Sequence, residues 1–139
     1  MATYLGTTIN ESPTITLPAG AKIEAAQGKA VIISDGTAKL ATAGANAIGV
    51  IPLSEDEVIE QGEDVAIQLK DIAAWVAGEA IAIGHELTSH PTGQAVKATD
   101  GSFITAVALT AAAKAGSIIR AQIIKAGYKP AASDSDSEG

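Results

Sequence analysis

The feature that most constrains this chain is a duplication. The fifteen residues GTAKLATAGANAIGV at 36–50 return 57 positions later, without a gap, as GQAVKATDGSFITAV at 93–107. Six positions are identical: Gly36/Gly93, Ala38/Ala95, Ala41/Ala98, Thr42/Thr99, Gly44/Gly101 and Val50/Val107. Alanine-rich sequence inflates such matches, so agreement in the flanks decides the matter. AGAKI at 19–23 aligns with AGEAI at 77–81 at an offset of 58, and QGEDV at 61–65 aligns with AGSII at 115–119 after a three-residue deletion. Three blocks in one order imply two tandem units, about 19–69 and 77–124, inside a single domain covering 19–127. Two copies are too few for a solenoid. The expectation is one compact domain with approximate internal two-fold symmetry.

Within each unit the pattern is of short strands. AVIIS at 30–34 is an apolar run of strand length, and Asp35-Gly36 is a two-residue hairpin signal because both positions tolerate positive φ. Residues 23–26, 37–42, 47–53 and 65–69 read as further strands, the last by its alternation of Val65, Ile67 and Leu69 with Ala66 and Gln68. The second unit repeats the pattern. Residues 80–87 read as paired short strands, Pro91-Thr92-Gly93 as a turn, 94–99, 102–109 and 118–124 as strands, and Asp100-Gly101 as a second hairpin signal. Ser54 followed three residues later by Glu57 has capping-box spacing, and TAAAKA at 110–115 is rich in the best helix former, so one helical turn is expected at each place. The fold class that follows is all-β, a small barrel or sandwich with one or two short helical turns.

The two ends differ from this body. Residues 1–18 alternate threonine with Leu5, Ile9, Ile15 and Leu17 and carry Pro13 and Pro18, which favours an extended arm. Such an arm either packs on its own barrel or reaches a neighbouring subunit. Tyr4, Leu5, Ile9, Ile15 and Leu17 are its candidate contact residues. Trp75, the single tryptophan, reads either as core or as a subunit contact. The segment 128–139 ends in AASDSDSEG, small and acidic, and reads as a disordered tail.

Composition narrows the function classes. A formal charge of −7 makes duplex DNA or an anionic membrane a poor partner, since both recruit clustered Lys and Arg. No run of eighteen apolar residues exists to span a bilayer, and MATYLGTTIN lacks the basic-then-apolar order of a secretion signal, so assembly in a bacterial-type cytoplasm is expected. With no cysteine, thiol catalysis and cysteine metal sites are excluded. His85 and His90 lie five apart, on opposite faces of a continuous strand, and with Glu86 they lack a further ligand for a metal site. There is no phosphate loop and no recognisable serine triad. Neither catalytic nor cofactor-binding residues are assigned. Six of the ten residues at 55–64 are acidic, which reads first as a solvated surface.

The succession AGxxI, a DG turn, AIGV, GxxV, AGEAIAIGHEL, TGQAVKATDG and AVALTAAAKAGSII, spanning 18–124, resembles the small decoration or cement proteins of tailed-phage capsids. The resemblance implies a β-rich, non-enzymatic head protein. It would bind the outer face of the major capsid protein lattice and cluster as a homo-oligomer, a trimer being the usual state, on the virion surface. The arm and the tail have no counterpart in that pattern. Two other readings stand beside it: a lipoyl-type carrier, for which the chain lacks the modifiable lysine in its DKA or MKM setting, and a small hydrolase or a ligand- or carbohydrate-binding module, which would need a pocket of convergent polar groups.

Overall fold

A computed structural model of the chain describes residues 14–131. Ten strands and no helix occur among them: β1 Thr14–Pro18, β2 Ala30–Ser34, β3 Thr37–Leu40, β4 Gly49–Val50, β5 Asp64–Gln68, β6 Asp71–Val76, β7 Glu86–Ser89, β8 Ala95–Lys97, β9 Phe103–Ala108 and β10 Ile118–Tyr128. They form two five-stranded antiparallel sheets with the same topology, β1-β5-β4-β2-β3 and β6-β10-β9-β7-β8. Each sheet curls until its edges meet. A parallel bridge joins Ala19 to Ala38 in the first unit and Ala77 to Ala95 in the second. The small alanines at these closures allow backbones to approach where larger side chains would hold them apart. The all-β class is therefore observed, with barrel-like curvature in each sheet.

The duplication is written into the hydrogen bonds. Gly20 N–H donates to the Ala38 carbonyl, as Gly78 does to Ala95, and Gly62 donates to Ala19 as Gly116 does to Ala77. Ile23 and Ile59 exchange a pair of bonds, and so do Ile81 and Ala112. Apart from Ile59 and Ala112, these are positions aligned by the three sequence blocks. The β2–β3 hairpin turns through Asp35 and Gly36 at φ 51° and 77°, and its register pairs Ser34 with Thr37. The sequence signal for a turn with two positive-φ residues is met. Since a Cβ on Gly36 would meet nothing within 4 Å, Gly36→Ala is expected to cost only the left-handed backbone term, about 1 kcal/mol, measurable by chemical denaturation.

Several expectations are corrected. Residues 54–57 and 110–115 form turns and bends, not helix; Ala112 is instead tied by its bridge to Ile81, which holds the segment extended. Asp100-Gly101 is a turn, yet it does not close a hairpin of neighbours, because β7 lies between β8 and β9 in the sheet. The segment 23–26 keeps a single bridge at Ile23 in place of a strand, and 80–87 forms no paired strands: Ile81 is a lone bridge and β7 begins at Glu86. For Thr14–Pro18 the first of the two alternatives holds: the segment packs on its own sheet, β1 being paired along its length with β5, from Thr14 opposite Gln68 to Pro18 opposite Asp64. Residues 1–13 and 132–139, with most of the expected arm and tail, lie outside the described residues.

The buried residues form two clusters, and the units meet through the second of them. One belongs to the first unit and contains Ile23, Val31, Ile51, Ile59, Val65 and Ile67. The other is centred on Trp75, Leu87 and Ile119 of the second unit and takes in Ala30, Ala47 and Val50 from the first. Backbone bonds cross the boundary: Ala30 N–H to Gly93, Val76 to Gly28, Gly44 to Ser89 and Phe103 to Gly44. Under two-fold symmetry the Val76–Gly28 contact would recur between their counterparts, Pro18 and Gly84. Pro18 has no N–H, and Gly84 faces open space. The units are arranged head to tail, not about an internal two-fold axis.

Candidate interaction surface

Of the candidate contact residues, Tyr4, Leu5 and Ile9 lie outside the described residues. Ile15 and Leu17 sit on the same side of β1, the side facing the first unit's core; Ile15 is 36% exposed and Leu17 is half-buried against that core. Their alternation with Thr14, Thr16 and Pro18 is the period-two pattern of a strand with one wet face. Trp75 is fully buried, and its indole N–H donates to the Gly93 carbonyl at 2.8 Å. Of the two roles open to it, the structure shows core packing, and so Trp75 is withdrawn as a surface contact.

The acidic stretch folds into an open recess of about 420 Å³ lined by Glu55, Asp56, Ile59, Gly62, Glu63 and Asp64. Its carboxylates are partly used in holding the local backbone. Glu63 Oε1 accepts the Glu60 N–H at 2.8 Å, which fixes the turn that leads into β5. Among the described residues no group of three or more His, Asp or Glu is placed to hold a metal ion. His85 Nδ1 accepts the N–H of Ala82 in a local turn, while His90 lies across β7 at its other end.

A second recess, about 460 Å³, opens where the first unit's Ala43 and Gly44 approach the second unit's Thr88, His90, Lys97, Thr99 and Ser102. This is the place to look for convergent polar groups. Among the described residues the Thr88 hydroxyl and His90 Nδ1 have no hydrogen-bond partner, and both atoms are buried. The Ser89 hydroxyl is already spent on the Thr42 carbonyl, and the Lys97 N–H on Glu79.

Two lysines, Lys29 buried and Lys125 only partly shielded, are withdrawn from water to different degrees. Lys29 donates to the Ala25 carbonyl at 2.7 Å, and Lys125 reaches across the unit boundary to Asn46 Oδ1 and the Ala47 carbonyl, both at 2.6 Å, passing over the Phe103 ring at 4.9 Å. Desolvation lowers both side chains below the usual 10.5. A lysine lowered on folding binds its proton less well in the folded state than in the unfolded one. Its penalty is therefore full at neutral pH and is relieved as pH rises from the lowered value towards 10.5. Stability of the wild type should climb relative to Lys29→Met over that alkaline window; parallel pH profiles for the two proteins would contradict the assignment.

The feature that sequence reading missed is the set of exposed aliphatics: Ile33 (51%), Ile72 (52%) and Ile118 (53%) on the sheets and Ile83 (69%) in the turn before β7. In runs such as VIIS, DIAAWV and AIAIG both alternate faces are apolar, so no periodicity tells the outward residue from the inward one.

No protein-family model matches the chain, and no curated protein sequence matches it. A solved structure does. The head fiber gp8.5 N base of bacteriophage phi29 superposes with a TM-score of 0.63 at 20% sequence identity, over 84% of this chain and 97% of that one. At this identity the likeness shows a shared fold, and it extends over nearly the whole of the phage head-fiber base.

Proposed function

We propose that the chain is a structural protein of a phage head that binds the outer surface of the major capsid protein lattice and stabilises the shell, without enzymatic activity. The observation that carries this reading is the fold shared across 97% of a phage head-fiber base, joined to the residue pattern at 18–124 that resembles capsid decoration proteins. The physical properties agree. A protein with an acidic recess at 55–64 suited to a basic patch on a shell, and with aliphatic side chains standing on its sheets, is equipped for surface contact. Small contacts repeated over many copies on one shell add up to a large effect. On the head the protein acts as a homo-oligomer, with a trimer as the favoured state.

Residues before Thr14 are assigned to the contact with a neighbour, by addition of extended chain to a sheet edge. Truncation should therefore stop at residue 13, since removing Ile15 and Leu17 would strip β1 from β5 and damage the fold itself. Bare shells mixed with the intact protein are expected to rupture at a higher temperature than shells alone, with a smaller gain from the chain lacking residues 2–13. Equal gains from both proteins would rule out the arm, and no gain from either would rule out stabilisation.

A further inference from the structure

The repeat supplies its own template for a contact between molecules. In three matched pairs of glycines, the member at the boundary between units is in contact and its counterpart is open. A Cβ on Gly28 would lie 2.9 Å from Val76, one on Gly93 would lie 2.9 Å from the Ala30 carbonyl, and one on Gly44 would meet Ser102 at 3.4 Å. Their counterparts Gly84, Gly36 and Gly101 have nothing within 4 Å. The same asymmetry holds for side chains. Ser89 and Ala30 are buried at the boundary, whereas Ile33 and Glu86, which take the equivalent sheet positions by their pairing with Ala38 and Val107, are exposed.

A head-to-tail contact uses two different surfaces and leaves one of each unused at the ends. The first unit keeps a free face around Pro18, Ile33 and Gly36, equivalent to the face the second unit buries. The second keeps a free face around Ile83, Gly84 and Glu86, equivalent to the face the first unit buries. Each exposes a large aliphatic, and Ile83 at 69% is the most exposed of the large apolar side chains described.

We infer that these faces meet between copies: the Ile33 face of one molecule docks on the Ile83 face of the next, continuing the internal contact from chain to chain. The occupant is a second copy of this chain, because the complementary surface is present on the molecule and is already seen joined once within it. The sequence departs from the template in ways that weaken the contact without blocking it. Pro18, in the place of Val76, removes one donor, and the Gly101 N–H is already held by the Lys129 carbonyl. Glu86 stands where Ala30 does, but its carboxylate is paired with Lys129 Nζ at 3.0 Å. The contact between copies thus leans on Ile33 and Ile83 where the internal one leans on backbone bonds.

Light scattering and sedimentation on the full chain, without shells, test this separately from capsid binding. The wild type is expected to assemble, and Ile33→Glu and Ile83→Glu each to weaken assembly at least about tenfold, the effect of one interface anchor. Trp75 emission reports that both variants stay folded. An equimolar mixture of the two variants is the sharper arm. Each retains one intact face of opposite kind, so the mixture should form one-to-one dimers that stop at two. A wild type that remains monomeric, a variant that assembles like the wild type, or a mixture without the dimer would each overturn the inference.

Discussion

Replacing Trp75 by alanine is expected to lower stability by about 4 kcal/mol, the largest single loss available in this molecule. The side chain is fully buried in a core shared by Leu87, Ile119 and many alanines, and the alanines cannot swing in to fill the space it leaves. Its indole also binds the Gly93 carbonyl, which at the same time accepts the Ala30 N–H from the other unit. Removing the ring therefore empties the second core and loosens the boundary between the units. Far-UV circular dichroism during urea denaturation reads the effect without depending on tryptophan emission. A loss under about 1 kcal/mol would show that the alanine-rich surroundings collapse to close the cavity.

Gly49→Ala should be nearly as damaging, by about 3 kcal/mol, for the opposite reason. At Gly49 in β4 the added Cβ would sit 2.1 Å from the Gln68 carbonyl oxygen and 2.8 Å from Ile67 Cγ2. A flexible side chain can swing away, but the oxygen belongs to the backbone of β5, and relief requires β4 and β5 to part at their one registered pair, Val50 with Gln68. In the second unit the equivalent position is Ala106, fully buried in β9, so the two sheets differ locally in how closely their strands approach. A melting temperature unchanged by the substitution would mean that β4 lies farther from β5 than the geometry shows.

The architecture was legible because the chain is a repeat. Once Gly36, Ala38 and Gly44 were aligned with Gly93, Ala95 and Gly101, whatever one unit formed the other had to form, and the strands around Asp35-Gly36 identified the unit as β-rich. The helical turns were misread because capping spacing at Ser54–Glu57 and alanine content at 110–115 are local preferences, whereas the Ile23–Ile59 and Ile81–Ala112 bridges that hold those segments extended are long-range. β1 was hidden for a related reason: Pro13 and Pro18 signal a broken strand, yet Pro18 sits at the last position of a strand whose pairing with β5 no local signal announces. The surface was the least legible part. Nothing in AIAIG distinguishes Ile81, which is buried, from Ile83, which is exposed; the difference arises from the long-range bridge of Ile81 to Ala112, after which the chain turns at Ile83.

The proposed binding to a capsid is tested by mixing the purified chain with undecorated shells of the virus that encodes it, sedimenting them, and counting bound copies per capsid subunit. Saturable binding at a fixed ratio is expected, with the ratio naming the symmetry position that the protein occupies. Failure to bind either compact or expanded shells would contradict it.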